Sequence, residues 1–336
     1  MGHDVVVITD SDLPDDGIPE AILGAAGIAV RRAACRTPED VIRQARDASA
    51  LIVQWAPITD AVLAELRACR FVSRLGIGYD MIDVDAATAR GVAVANTPDY
   101  CVEEVAAHTM ALALSLCRRV VDLDRAVRLG RWSVTEDGAA ACRPSRTVFA
   151  VVGYGRIGRR VARTARAAGF DVVVHDPGVS PGVIAADGLR ALSLADALAC
   201  ADILSLHVPL TEATRGLIDE RALRSMRPGS YVVNTCRGEL IDEDALARLL
   251  RSGHLGGAAL DVFRREPLPD PHPLRSAPNL LLTPHAAWYS PAAVAELPTR
   301  AAEQVVAFLA GRRVDSIVNP GYAARARSAG APADAG

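Results

Sequence analysis

The stretch Arg146-Thr147-Val148-Phe149-Ala150-Val151-Val152-Gly153-Tyr154-Gly155-Arg156-Ile157-Gly158 constrains this chain more than any other. An apolar run enters Gly-x-Gly-x-x-Gly and then a helical pattern. A second apolar run, 171–175, ends at Asp176, which lies 23 residues after Gly153. Each part has a physical job. Gly153 permits the tight turn after a strand, Gly155 lets backbone approach a pyrophosphate, and Gly158 lets the helix pack on the strand. The helix N-terminus offers N–H groups to phosphate oxygens. Asp176 is placed to accept from a ribose 2′-hydroxyl, which favours NAD over NADP. A Gly-rich turn in an ordinary α/β domain is the plainer alternative for the loop taken alone.

At 336 residues the chain has room for two domains. Short apolar runs at 5–8, 50–54, 71–75 and 92–95 alternate with helical patterns at 18–25, 38–46 and 59–68. Alternation of this kind predicts a parallel sheet covered on both faces. A long helix is expected over 102–129, then a polar turn-rich stretch at 130–145. Strands follow at 147–152, 171–175, 202–206, 230–234, 257–261 and 279–283, and a last helix at 291–310. The pattern predicts an α/β protein with two doubly wound parallel-sheet domains. A Rossmann cofactor domain, 101–290, is inserted in a flavodoxin-like substrate domain made of 1–100 and 291–320. Residues 321–336, rich in Ala, Gly, Arg and Ser, read as a disordered tail.

Composition narrows the function classes. Net charge is −3, so nothing in the composition favours nucleic acid, which would want a basic face. All 37 basic residues are Arg, so no lysine can serve as a catalytic group. The seven cysteines, at 35, 69, 101, 117, 142, 200 and 236, include no Cys-x-x-Cys spacing, and neither a disulfide framework nor a metal site is expected. No apolar run reaches transmembrane length, and no basic n-region precedes an apolar stretch. A cytoplasmic protein without a membrane partner is expected.

Three polar residues follow predicted strands of the cofactor unit, where open α/β sheets bind ligands. They are Arg237 in Asn234-Thr235-Cys236-Arg237-Gly238, Glu266 in Asp261-Val262-Phe263-Arg264-Arg265-Glu266-Pro267, and His285 in Thr283-Pro284-His285-Ala286-Ala287-Trp288. Singly, each has an ordinary reading: a surface Arg, a turn Glu, a loop His. Together, and with Gly76-Ile77-Gly78-Tyr79-Asp80, the chain over roughly 50–320 resembles the D-isomer-specific 2-hydroxyacid dehydrogenases. Arg74-Leu75-Gly76-Ile77-Gly78-Tyr79-Asp80 and His285-Ala286-Ala287-Trp288-Tyr289-Ser290 look most like the C-terminal-binding-protein-like branch, which includes NAD(H)-dependent corepressors.

The resemblance implies hydride transfer between nicotinamide and C2 of a D-2-hydroxy acid/2-keto acid pair. An Arg can hold a carboxylate and polarise a carbonyl through its planar fork, a role that falls to Arg237. A His titrates near neutral pH and suits the proton donor, His285. A carboxylate on the other ring nitrogen, Glu266, would fix the tautomer. By the same resemblance the loop Gly76, Ile77 and Gly78 and the side chain of Arg74 face the substrate carboxylate, and Trp288 forms an apolar wall. NAD would contact Gly153, Tyr154, Gly155, Arg156, Ile157, Gly158 and Asp176. Val208, Pro209 and Thr214 would lie on its adenine side, and Thr109, Thr235, Cys236, Arg237, Asp261, His285 and Ala287 around the nicotinamide. Asp261 is expected to accept from the carboxamide. A homodimer through the cofactor domain is expected. The second reading is an NAD(H)-sensing, corepressor-like binding protein. The residues leave open which acid is native: apolar, small, or phosphorylated or phosphonylated.

Overall fold

The computed structural model describes residues 4–14, 17–137 and 141–327. Two compact units emerge, one of Met1–Tyr100 with Ser290–Gly336, the other of Cys101–Tyr289. The fold is α/β, and each unit carries one parallel sheet.

In the first unit, β1 (Val5–Ile8), β2 (Ala29–Arg32), β3 (Ala50–Val53), β4 (Phe71–Arg74) and β5 (Ala93–Ala95) form a sheet of order β2-β1-β3-β4-β5. The central strands β3 and β4 are buried along their whole length, as strands covered on both faces must be. Val7, Leu51, Val53, Val72 and Val94 share one face with Val41, Val62 and Ala87 of the helices Pro38–Ala45, Asp60–Glu65 and Val84–Ala89. The last helix, Pro291–Leu309, packs on β4: the Phe308 ring stacks on Phe71 at 4.4 Å, and the Ser73 hydroxyl donates to the Ala301 carbonyl at 3.2 Å.

Two expectations change here. Strand β2 has no counterpart in the sequence reading, because Ala-Val-Arg-Arg is an exposed edge and lacks the apolar run of a covered strand. The expected disordered tail is ordered at its start. Residues Pro320–Arg325 form a 3₁₀ helix, and the Arg327 guanidinium donates to the carbonyls of Cys69 (2.9 Å), Arg90 (2.9 Å) and Leu63 (3.1 Å). That guanidinium closes orphan carbonyls beyond a helix end. The rest of the expected tail, 328–336, lies outside the described residues.

In the second unit, β6 (Val148–Val152), β7 (Asp171–His175), β8 (Arg190–Ala191), β9 (Ile203–Leu206), β10 (Tyr231–Asn234), β11 (Gly257–Leu260) and β12 (Leu280–Leu282) form a sheet of order β12-β11-β10-β9-β6-β7-β8. Side chains alternate between its faces. Ala150, Val152, Leu204, Val232 and Leu260 join one core, with the helices Leu194–Cys200, Glu220–Ser225 and Glu243–Arg251. Phe149, Val151, Ile203, Val233 and Ala259 join the other, under the helices Val102–Arg118 and Arg156–Ala167. β8 is a short, half-exposed edge pair that the sequence pattern does not show.

The single helix expected over 102–129 is two: Val102–Arg118 and Val120–Arg128. Arg119 adopts a left-handed φ of 56° and its N–H closes onto the carbonyls of Leu116 and Ser115. A non-glycine residue in this region interrupts a helix without a sequence signal such as Gly or Pro.

A candidate active site at the strand ends of the second unit

Parallel pairing puts the C-terminal ends of β6 to β12 on one edge of the sheet, so the loops that follow them share that edge. β6 runs into Gly153, β7 into Asp176, β9 into His207, Val208 and Pro209, β10 into Thr235, β11 into Asp261 and β12 into Thr283. The chain order reverses between β6 and β9, the switch point where such sheets hold ligands.

The loop after β6 is built from what its glycines lack. Gly153 has a left-handed φ of 98°, and a Cβ there would fall 2.4 Å from the His207 carbonyl oxygen. A Cβ at Gly158 would fall 2.0 Å from the Gly153 oxygen. At Gly155, by contrast, a Cβ would meet open space, and Gly155 and Arg156 are exposed. Gly155 stands at the N-cap of Arg156–Ala167, and no side chain caps that terminus. An open, uncapped helix start bounded by two crowded glycines fits a pyrophosphate. Asp176 adds a carboxylate whose Oδ2 accepts from the Tyr154 N–H at 2.6 Å and whose Oδ1 accepts from the Gly178 N–H at 2.8 Å. A carboxylate has about four acceptor sites, so these two bonds leave capacity for ribose hydroxyls.

Tyr154 differs from its expected place. Its ring is fully buried, its hydroxyl donates to Asp187 at 2.7 Å, and Arg159 stacks over it at 4.9 Å. Burial, with the Asp187 charge, pushes the phenol up to about 12. The side chain is part of the core, leaving only the backbone of Tyr154 in the loop. Ile157 is half-buried over the same turn. Thr214 closes the loop after β9: its hydroxyl donates to the Pro209 carbonyl at 2.6 Å and accepts from the Thr211 N–H at 2.8 Å.

After β10, Asn234 shapes the turn, donating to the Arg237 carbonyl at 2.7 Å and accepting from the Cys236 N–H at 3.0 Å. A Cβ at Gly238 would lie 2.0 Å from the Phe263 carbonyl carbon, so only glycine lets this turn close on the β11 loop. Thr235 bonds the buried Thr109 hydroxyl at 2.9 Å, and Thr109 itself donates to the Val105 carbonyl at 2.7 Å. Thr109 therefore stands behind Thr235 and positions it. The thiol of Cys236 donates to the Leu206 carbonyl at 3.1 Å, and removal from water pushes it up to about 12, so it stays a thiol at neutral pH.

Asp261 is fully buried, and its carboxylate organises the loop after β12. It accepts from the Thr283 hydroxyl (2.5 Å) and from the N–H groups of Ala286 (2.8 Å) and Ala287 (2.9 Å). The Asp261 carbonyl also accepts from the His285 N–H at 2.8 Å. These bonds hold His285 at a left-handed φ of 53°, a conformation a non-glycine residue keeps only when its surroundings impose it. His108 joins the same cluster, bonded to the Thr283 hydroxyl at 3.1 Å and 3.7 Å from Asp261 Oδ1. It escaped the sequence reading, although a polar residue beside Thr109, between the apolar pairs Ala106-Ala107 and Met110-Ala111, was the available signal.

His285 Nδ1 lies 2.7 Å from Glu266 Oε2, while Glu266 Oε1 accepts from the Phe263 N–H at 2.9 Å. Removal from water pushes the Glu266 carboxyl up. The His285 hydrogen bond and charge, the Phe263 N–H and the Arg237 charge outweigh it and hold the group below the usual carboxylate value. The structure thus brings Arg237, Glu266 and His285 to one edge of one sheet. Trp288 is half-buried and meets Tyr289 edge-on at 5.8 Å between ring centres.

The loop after β4 belongs to the first unit. Arg74 is buried, with its guanidinium 5.3 Å from the Trp55 ring centre and donating to the Leu75 carbonyl. Gly76 has φ 139°, and a Cβ there would overlap that guanidinium at 1.5 Å. The Ile77 carbonyl accepts from the Asn96 side chain at 2.7 Å. Gly78 follows, half-buried.

Comparison with known proteins agrees with this architecture. Residues 110–287 match the model of the D-isomer specific 2-hydroxyacid dehydrogenase, NAD binding domain. The D-3-phosphoglycerate dehydrogenase of Mycobacterium leprae (strain TN) is 42% identical over 274 residues, 81% of this chain and 51% of that protein. The chain spans about half the length of the curated relatives it matches. Among solved structures, a protein from Thermus thermophilus is 33% identical with a TM-score of 0.82, covering 94% of this chain and 99% of its own. A glyoxylate reductase from Paecilomyes thermophila is 28% identical with a TM-score of 0.83, covering 95% and 99%. With its NAD-binding sheet matched over more than half its length, the chain belongs to the D-isomer-specific 2-hydroxyacid dehydrogenase family.

Proposed function

We propose that this protein is an NAD-dependent oxidoreductase acting on a D-2-hydroxy acid/2-keto acid pair. The observation that carries the reading is the 2.7 Å pairing of His285 Nδ1 with Glu266, on the sheet edge that also bears the nucleotide loop. NAD, when bound, supplies or accepts the hydride. His285 Nε2 gives a proton to the carbonyl oxygen in reduction and takes it back in oxidation. Glu266 keeps the proton on Nδ1 and stabilises the imidazolium. Arg237 places positive charge beside the reacting carbonyl, and Asp261, through Thr283, Ala286 and Ala287, positions His285. Gly153, Gly155, Arg156, Ile157 and Gly158 would hold the pyrophosphate and Asp176 the adenine ribose. Val208, Pro209 and Thr214 would flank the adenine, with Thr235 and Cys236 toward the nicotinamide.

Arg74 and the backbone of Gly76, Ile77 and Gly78 are proposed to take the substrate carboxylate. Support comes from the stacked Arg74 guanidinium and from its close approach to Gly76, where a Cβ would overlap it. Trp288 is proposed as the wall for the substrate side chain. A flat apolar wall accepts apolar or thioether groups and extracts no hydrogen-bond specificity from them. Small acids such as glyoxylate and hydroxypyruvate would be accepted beside them. Measuring NADH consumption across 2-keto acids, with Trp288→Ala alongside, tests this. The variant is expected to raise KM for medium apolar acids about tenfold, by the roughly 1–3 kcal/mol such contacts contribute, and to leave glyoxylate nearly unchanged. A clear preference for a phosphorylated or phosphonylated keto acid, served by the exposed Arg264 and Arg265, would overturn the apolar wall.

A homodimer is part of the proposal. Val120, Val121, Val127, Leu129, Trp132 and Val134 are exposed within a short stretch of the second unit, and clustered apolar exposure marks interaction surfaces. A cytoplasmic setting is also proposed. It is supported by seven free cysteines, and among the described residues no helix is long and apolar enough to cross a membrane.

A further inference from the structure

Cys117 and Cys142 lie away from the strand-end loops. Cys117 stands in the last turn of the helix Val102–Arg118, and Cys142 shortly before β6. The Cys142 N–H donates to the Cys117 carbonyl at 2.7 Å, and the Cys117 thiol points back at the Cys142 carbonyl at 3.7 Å. Standard bond lengths along that N–H···O=C path limit the separation of the two Cα atoms to about 7 Å. Disulfides span about 4.4–6.8 Å between Cα atoms. The two backbones therefore lie at or within the reach of a disulfide, and the Cys117 thiol already faces Cys142.

We propose that Cys117 and Cys142 form a peroxide-responsive pair that closes reversibly into a disulfide. Their surroundings divide the roles. Cys142 is half-buried and Cys117 is fully buried, so peroxide meets Cys142 first. The Arg118 guanidinium donates to the Cys142 carbonyl at 2.9 Å, placing positive charge beside that thiol. The hydrogen bond from the Cys117 thiol lowers Cys142 below the ordinary thiol value against burial, with help from the Tyr231 hydroxyl and Arg118. Burial pushes the thiols of Cys35, Cys69 and Cys200 the other way, and likewise Cys236. A low-pKa, accessible cysteine beside a resolving one is the arrangement that peroxide selects.

The chemistry balances with hydrogen peroxide as the oxidant. The Cys142 thiolate attacks one peroxide oxygen, the O–O bond breaks, and the departing hydroxide takes up a proton. Cys142 is left as a sulfenic acid. The Cys117 sulfur then attacks the Cys142 sulfur; an S–S bond forms, the S–O bond breaks, and hydroxide leaves with the Cys117 proton as water. Two thiols lose two electrons and two protons, and peroxide becomes two waters. The bond ties the helix that carries Thr109 to the segment feeding β6 and the nucleotide loop.

The test is peroxide treatment of the full-length protein, followed by thiol alkylation and peptide mass analysis. The expected result is loss of two thiols per chain, a linked Cys117–Cys142 peptide pair, and full reversal by dithiothreitol. Cys142→Ser should keep every thiol, and Cys117→Ser should leave Cys142 as a sulfenic acid trapped by dimedone. The reading on the unaltered protein holds whether or not the variants fold. It is overturned if the unaltered protein keeps all its thiols, if Cys142→Ser loses them equally, or if dimedone marks another cysteine.

Discussion

The nucleotide loop and the His285 edge stand on the same sheet and are made in opposite ways. The loop works through absent side chains: Gly153 and Gly158 are so close to neighbouring backbone that a single Cβ would collide, while Gly155 opens to solvent. The His285 edge works through side chains supplied by three strands in a row, Arg237 after β10, Asp261 and Glu266 after β11, His285 after β12. The first is a local device, complete within one turn. The second exists only once β10, β11 and β12 have paired in register. Binding of the cofactor should therefore be separable from chemistry on the substrate.

Substitutions can break that separation. Within the loop, the largest combined effect on stability and binding is expected at Gly158→Ala, whose methyl meets the Gly153 oxygen at 2.0 Å. Overpacking of this kind costs about 1–3 kcal/mol or more, so both thermal stability and NADH affinity should fall together. Gly155→Ala meets no neighbour within 4 Å, and should keep the melting temperature while weakening NADH. If the two variants behave alike, crowding is not what the loop depends on.

Next in size is Asp176→Ala. Removing an acceptor with full charge costs about 1.5–3 kcal/mol, which is about ten- to a hundredfold in the Kd for NADH. The NADPH Kd should improve, because the carboxylate no longer repels a 2′-phosphate. Fluorescence titration with both nucleotides decides it, and an unchanged ratio between them would remove Asp176 from the ribose.

Smaller still is the effect of Glu266→Gln on pH dependence. The Glu266 carboxyl is held below its ordinary value of 4.5, so its pairing is fully present above that pH and is lost as pH falls through the lowered folded value. Gln keeps the shape and removes the charge, so the alkaline limit of keto-acid reduction should move to lower pH while NADH affinity stays. A pH–rate profile of kcat/KM that matches the unaltered protein would separate Glu266 from proton transfer.

These two regions also differ in how far the sequence exposes them. Gly153, Gly155, Gly158 and Asp176 are legible because their requirements are local and fixed in spacing. Arg237, Glu266 and His285 are ordinary polar residues until family resemblance groups them, since strand order is not written in any one segment. Tyr154 shows the limit of a motif: the position is in the loop, but its side chain belongs to the core through Asp187. Thr109 likewise acts from behind Thr235. Covered strands were legible as apolar runs, whereas the edge strands β2 and β8 were not, because an exposed edge carries no apolar run. The break at Arg119 rests on a left-handed residue without glycine, and the ordering of 320–327 on Arg327 reaching carbonyls far back in the chain. Neither leaves a local trace.

The most direct test of the central claim is a paired measurement on His285→Ala: steady-state NADH oxidation with the best 2-keto acid, and NADH binding by fluorescence. General acid catalysis contributes about 10²–10⁴-fold, so turnover should fall by that factor while the NADH Kd changes less than about threefold. Turnover within a few-fold of the unaltered protein, or NADH affinity lost in step with turnover, would contradict the assignment of His285 as the proton donor and the separation of the two regions.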